Sequence, residues 1–378
     1  MAEVHGTCEP KFEGVRDVLS ANLDAGEDVG ASVAVYLHGE PVVDIWGGYV
    51  DEVKSAPWQR DSITNVWSTT KTMTFLCALM LADHGELDFH APVSTYWPEF
   101  AAAGKEGVEV RHLMGHTAGL SGWEEPITNE QLVDWELCTS LLAAQAPWWE
   151  PGTASGYHAV TQGYLIGEVV RRITGESIGS WFAREVAKPL EADFFIGTPE
   201  SEDHRIVDVI PPPPLDLAAL EGQMQVTDIT AKTFLNPPLD ASQAHHSWWR
   251  RAEIPAANGH GNARSVAAIQ SVISGRGQSA GIRLLSVEGT NAIFETQSDG
   301  TDLALGVPLR FGMGYGLGNE FMPLGPRACF WGGYGGSLIV MDQDADLTIA
   351  YVMNKMQPGL VGDTRGAALT MATVTALA

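Results

Sequence analysis

Ser68 and Lys71 lie three residues apart in the run Val66-Trp67-Ser68-Thr69-Thr70-Lys71-Thr72-Met73-Thr74-Phe75, and their types suit them to act together. A serine hydroxyl becomes a strong nucleophile only when a neighbour takes its proton. A lysine amine can do this once burial has lowered its pKa. Phe75, Leu76, Leu79 and Met80 follow at helical spacing and Gly85 marks a stop, so the run predicts a helix starting at Ser68. That start sets the hydroxyl among unpaired backbone N–H groups at the positive end of a helix dipole, with Lys71 about one turn on. A second serine, in Gly175-Glu176-Ser177-Ile178-Gly179, matches the G-x-S-x-G nucleophile elbow of other hydrolases. An elbow needs a strand before it, yet Leu165, Ile166, Val169, Val170 and Ile173 recur at helical spacing. Gly175 therefore reads as a helix C-cap and Ser177 as the next N-cap.

The elements around the Ser68 helix fall into two kinds. Residues 11–25 have the period of an amphipathic helix, and 32–38 and 41–46 alternate like a β-hairpin joined at Gly39-Glu40. Between about 83 and 256 helical patterns dominate, at 129–144 and 159–174, with long loops and an extended Pro211-Pro212-Pro213-Pro214. Strand patterns return at 328–331, 337–342 and 347–354, and 363–377 reads as a final helix. The expected architecture is α+β: an antiparallel sheet flanked by helices and built from both chain termini, around an inserted, mostly helical domain. The boundaries are 1–82 and 257–378 for the α/β parts and 83–256 for the insertion.

With 378 residues, 45% hydrophobic and 18% charged, the chain has ample core for this plan. Its 47 acidic against 22 basic residues give a net charge of −25, which argues against nucleic acid or an anionic membrane as partner. Cys8, Cys77, Cys138 and Cys329 form no CxxC motif and suit free thiols in a reducing compartment. Residues 1–10 are polar and no apolar run reaches membrane-spanning length, so the expected location is cytoplasmic, without a signal peptide or transmembrane segment. His112 and His116 sit at i, i+4, a spacing that could suit a metal, but no carboxylate motif accompanies them. The expectation is that the protein uses neither metal nor cofactor.

Three further blocks carry a family resemblance. Leu113-Met114-Gly115-His116-Thr117-Ala118-Gly119-Leu120 is similar to the LLSHTSGL block of serine β-lactamase-related proteins. Pro151-Gly152-Thr153-Ala154-Ser155-Gly156-Tyr157 resembles their PG…Y block, and Phe330-Trp331-Gly332-Gly333-Tyr334-Gly335-Gly336-Ser337 their third motif. With the S-x-x-K pair, these stand in the family's order. The resemblance implies the class C β-lactamase/penicillin-binding-protein fold and, within it, the esterase branch called family VIII carboxylesterases. It implies Ser68 as nucleophile, Lys71 as its base partner and Tyr157 as a second base relaying the proton to the leaving group. The backbone N–H groups of Ser68 and Tyr334 would form the oxyanion hole, with Trp331, Gly332 and Gly333 in the substrate-binding third motif.

Physical arguments accompany these roles. A tyrosine beside an ammonium has its phenolate favoured, and glycines let a strand approach a substrate with no Cβ in the way. The chain departs from the β-lactamase pattern, reading Tyr157-His158-Ala159 for Tyr-x-Asn and Trp331-Gly332-Gly333 for Lys-Thr-Gly. Losing the Asn removes an amide-side hydrogen bond. Losing the Lys removes the cation that would pair with a lactam carboxylate. The expected activity is therefore a serine carboxylesterase acting on small-molecule esters of short to medium chain through an acyl-enzyme. A D-amino-acid peptidase or amide hydrolase, a weak β-lactamase or an acyltransferase on the same scaffold is the alternative, ahead of a non-catalytic binding protein.

Overall fold

Alternating apolar residues near the two ends of the chain converge on one antiparallel sheet. The computed structural model describes residues 3–212, 227–238, 240–320 and 322–378. Its main sheet has nine strands: β1 (Val4–Cys8), β2 (Gly30–Leu37), β3 (Glu40–Gly48), β4 (Ser298–Thr301), β5 (Pro308–Phe311), β6 (Gly316–Leu317), β7 (Ala328–Gly332), β8 (Leu338–Asp342) and β9 (Leu347–Met353). They run in the order β1-β3-β2-β9-β8-β7-β6-β5-β4. The join between the two ends is the β2–β9 pair, in register from Leu37↔Leu347 to Ala31↔Met353. Every residue of β9, and all but the last of β2, is buried, so both faces of the sheet centre are covered. The principal helices are α1 (Glu13–Ala25), α2 (Lys71–Asp83), α3 (Trp135–Ala144), α4 (Thr161–Thr174), α5 (Ala263–Ser274) and α6 (Thr364–Leu377). Helix α5 packs across β2, β8 and β9, while α1 and α6 pack on each other and on the sheet.

Several expectations shift by a residue or two. The hairpin turns at His38-Gly39, both at positive φ (53° and 78°), rather than at Gly39-Glu40, because a two-residue hairpin turn of this hand needs two left-handed residues. Helix α3 begins only at Trp135, where the Asp134 side chain caps the Leu137 amide, and a 3-10 turn covers Glu130–Val133. Gly175 closes α4 at φ 75°, and Ser177 caps Ile178–Phe182 by accepting from the Ser180 amide. In the proline run, Pro211 and Pro212 lie outside helix and strand, and Pro213 and Pro214 lie outside the described residues. Strand β1 and the β4–β6 group carry no clear sequence signal. β1 is an edge strand exposed over most of its length, and β6 has two residues. A small sheet joins Thr64–Asn65 to His260–Gly261 and on to Phe194–Phe195, tying the stretch before α2 to distant parts of the chain. No helix among the described residues is long and apolar enough to cross a membrane.

Candidate active site

The S-x-x-K pair does not sit on an α-helix as its spacing predicts. Trp67–Thr70 form a 3-10 turn, and α2 begins at Lys71. The consequence favours the pair, since a 3-10 turn has three residues per turn and stacks i over i+3. Lys71 Nζ lies 3.0 Å from Ser68 Oγ. Trp67, immediately before the serine, has φ 48°, a left-handed conformation that bulky residues rarely adopt. Its ring is held against Trp249 at 5.4 Å and edge-on to Tyr334 at 5.6 Å. The turn is pinned from below: Ser337 Oγ donates to Val66 O (2.8 Å) and lies 2.9 Å from Thr69 Oγ1, and Thr70 Oγ1 accepts from the Gly259 amide.

Tyr157 arrives on the loop before α4. Its phenol donates to Ser68 Oγ at 2.7 Å, and Lys71 Nζ stands 4.7 Å from its ring centre. The remaining contacts of Lys71 are two backbone carbonyls, Ala159 O (2.6 Å) and Ala256 O (2.9 Å). Among the described residues no carboxylate bonds to the amine, and its burial drives the Lys71 pKa well below the ordinary lysine range. Burial likewise pushes the Tyr157 phenol up, with the Ser68 contact pulling back more weakly. Burial thus works against the expectation of a phenolate stabilised by an ammonium, since desolvation disfavours both charges.

The shell behind Tyr157 is largely aromatic. Its ring packs against His116 (5.0 Å) and Trp331 (5.3 Å). His116 Nδ1 accepts from the His158 amide, and His158 Nε2 accepts from the Leu120 amide while Nδ1 donates to Gly156 O. These contacts fix the neutral tautomer of each ring. Burial, aided by the neighbouring His158 and Lys71, holds His116 well below the usual histidine range, and burial holds His158 down at about 3. His112 and His116 do not converge, since His112 Nδ1 accepts instead from the Glu109 amide. Asp302 is a participant that no sequence motif points to. Its buried Oδ1 accepts from the amides of Tyr157 (2.9 Å), Ala304 (3.0 Å) and Leu305 (2.9 Å), fixing the Tyr157 backbone from 145 residues away.

The third motif closes the other side. Gly332 ends β7, and a Cβ there would stand 2.5 Å from Gly362 N. At Gly333 a Cβ would stand 2.3 Å from Ser337 Oγ, 2.4 Å from Val66 O and 3.3 Å from Ser68 N. These glycines therefore admit neighbouring protein, where substrate approach was expected, and they let the β7–β8 turn press against the nucleophile's own turn. Among the described residues, the amides of Ser68 and Tyr334 donate to no protein acceptor, whereas those of Gly333, Gly335 and Gly336 bond to Ser337 O, Gly359 O and Gly333 O. Ser177 lies elsewhere, with its hydroxyl bonded to Glu253 at 2.6 Å.

An S-x-x-K serine under a tyrosine hydroxyl, beside the β7–β8 turn of a sheet built from both termini, defines a class of protein, and comparison with known families agrees. The chain belongs to the β-lactamase family, whose profile matches residues 15–372. It is 35% identical over 370 residues to the esterase/β-lactamase LipL of Mycobacterium tuberculosis, spanning 95% of this chain and 84% of LipL. Among solved structures it resembles a family VIII carboxylesterase (TM-score 0.93, 40% identity, 99% of this chain and 100% of that one). It also resembles a penicillin-binding protein homologue from Caulobacter crescentus (TM-score 0.91, 34% identity, 99% and 100%).

Proposed function

We propose that the protein is a serine carboxylesterase that hydrolyses neutral, small-molecule carboxylic esters of short to medium chain through an acyl-enzyme on Ser68. The observation that carries this reading is the buried, hydrogen-bonded set of Tyr157, Ser68 and Lys71. Similarity to proteins described as an esterase/β-lactamase and a family VIII carboxylesterase supports it. With its two N–H groups on Ala159 O and Ala256 O, the neutral Lys71 amine directs its lone pair at Ser68 and takes the hydroxyl proton as Oγ attacks the ester carbonyl. The Ser68 and Tyr334 amides receive the developing oxyanion. As the tetrahedral intermediate collapses, Tyr157 gives its proton to the departing alkoxide and is refilled from the Lys71 ammonium. A water molecule then repeats the sequence on the acyl-enzyme, returning Ser68 and releasing the acid.

Trp331, in the place of the Lys of Lys-Thr-Gly, supplies an apolar wall and no cation, which favours a neutral ester over an anionic lactam. We assign residues 83–256 as the inserted helical domain and 1–82 with 257–378 as the α/β domain, and the cytoplasm as the site of action. The test is turnover of p-nitrophenyl butyrate, nitrocefin and a D-alanyl amide by wild type and Ser68→Ala. Ester turnover that dominates in wild type and disappears in Ser68→Ala is expected. Equal ester turnover in both proteins would sink the reading, and preferential amide cleavage would select the peptidase alternative.

A further inference from the structure

This inference rests on the oxyanion role given to Tyr334, whose amide is aimed by a chain of peptide planes and not by its own side chain. In a trans peptide the N–H points opposite to the preceding C=O, so the direction of the Tyr334 N–H follows from what holds Gly333 O. Gly333 O accepts from the Gly336 amide at 3.1 Å and from the Gly362 amide at 3.4 Å. The Gly336 N–H is in turn fixed by the Gly335 carbonyl, which belongs to the same peptide unit and points the other way. Gly335 O accepts from Gln357 N at 2.9 Å and from one side chain, Arg365, whose Nη2 donates at 2.7 Å.

Arg365 is the second residue of α6, and only 4% of its surface is exposed. Its guanidinium is locked on every side. Nε and Nη2 grip the Asp363 carboxylate, and Nη1 donates to Asp28 Oδ1 (2.8 Å), Glu27 O (3.0 Å) and Lys355 O (2.9 Å). The same Asp28 oxygen also accepts from the Tyr351 hydroxyl at 2.6 Å. Gly336, at φ 128°, leaves no room there, since a Cβ would stand 2.2 Å from Asp363 Oδ2 and 2.5 Å from Arg365 Nη2. A buried guanidinium saturated in this way is a rigid post. We infer that Arg365 is the positioning residue of the oxyanion hole: by holding the Gly335 carbonyl it turns the Gly336 amide onto Gly333 O and so aims the Tyr334 N–H at the reacting carbonyl. Lysine cannot substitute, because a single ammonium has no planar fork to bridge Asp28, Asp363 and Gly335 O together.

The test compares p-nitrophenyl butyrate with its thiono analogue, in which sulfur replaces the carbonyl oxygen. Sulfur accepts hydrogen bonds poorly and sits farther from carbon, so an oxyanion hole built for oxygen helps it little. Arg365→Lys is measured beside the charge-balanced double variant Asp28→Asn/Arg365→Gln, so that one folding failure does not decide the matter. Expected is a fall in kcat for the oxygen ester of about tenfold to a hundredfold, a share of the ~10²–10³ that a whole oxyanion donor contributes. The ester-to-thionoester ratio of kcat/KM should fall by a similar factor. The pH profile should keep its shape, because Lys71 and Tyr157 are untouched. Equal losses on both substrates, or no loss in a folded variant, would overturn the inference. Wild type inert towards both esters would instead remove the esterase reading, and this inference with it.

Discussion

Replacing Tyr157 by phenylalanine removes a single oxygen, the one 2.7 Å from Ser68 Oγ, and leaves the ring that packs on His116, Trp331 and Lys71. The stability cost is that of one buried hydrogen bond, about 1 kcal/mol, so the variant should fold and melt within a few degrees of wild type. The catalytic cost depends on the leaving group. General acid catalysis is worth about 10²–10⁴-fold where the departing group needs a proton. An ethoxide needs one badly, whereas a p-nitrophenolate leaves without help. Tyr157→Phe should therefore lower kcat/KM for ethyl butyrate by about 10³-fold, and for p-nitrophenyl butyrate by about tenfold. The comparison uses kcat/KM, which reports acylation alone, with a pH-stat for the first ester and absorbance for the second. Equal losses on the two esters would refute the proton-donor role of Tyr157.

Two other perturbations test the surroundings. Between the depressed native pKa of Lys71 and the unfolded value of about 10.4, the unfolded chain carries a proton that the folded chain lacks, so stability rises with pH across that window. Urea unfolding of wild type and Lys71→Met at about pH 6 and pH 9 should therefore show wild type gaining on the variant at the higher pH, and a constant difference would mean the native lysine is charged. Gly333→Ala, whose Cβ would meet Ser337 Oγ and Val66 O at under 2.5 Å, should cost about 1–3 kcal/mol in unfolding free energy and lower kcat further than that loss explains. Wild-type kinetics from this variant would mean that the β7–β8 turn does not fix the nucleophile's turn.

The parts of this molecule legible in its sequence are those governed by local periodicity. The β2–β3 hairpin, α1, the β7–β8–β9 meander and α6 follow from alternation, helical spacing and glycine stops. Ser68, Lys71 and Tyr157 came from short motifs, and the structure brings Lys71 and Tyr157 within hydrogen-bonding reach of the Ser68 hydroxyl. What stayed hidden depends on distant contacts. The left-handed Trp67 is sustained by Trp249 and Tyr334, and the depressed pKa of Lys71 comes from burial by parts of the chain far away in sequence. Asp302 and Arg365 have no motif at all, yet they fix the backbones of Tyr157 and the Gly335 turn. Burial of the Lys71–Tyr157 pair, which works against a phenolate, was hidden for the same reason: motifs show charges and not burial.

The most direct test of the central claim is intact mass after exposure to a fluorophosphonate, with peptide mapping, on wild type, Ser68→Ala and Ser177→Ala. One adduct, on Ser68, is expected in wild type and in Ser177→Ala, and none in Ser68→Ala. An adduct on Ser177, or an unlabelled wild type, would contradict that claim.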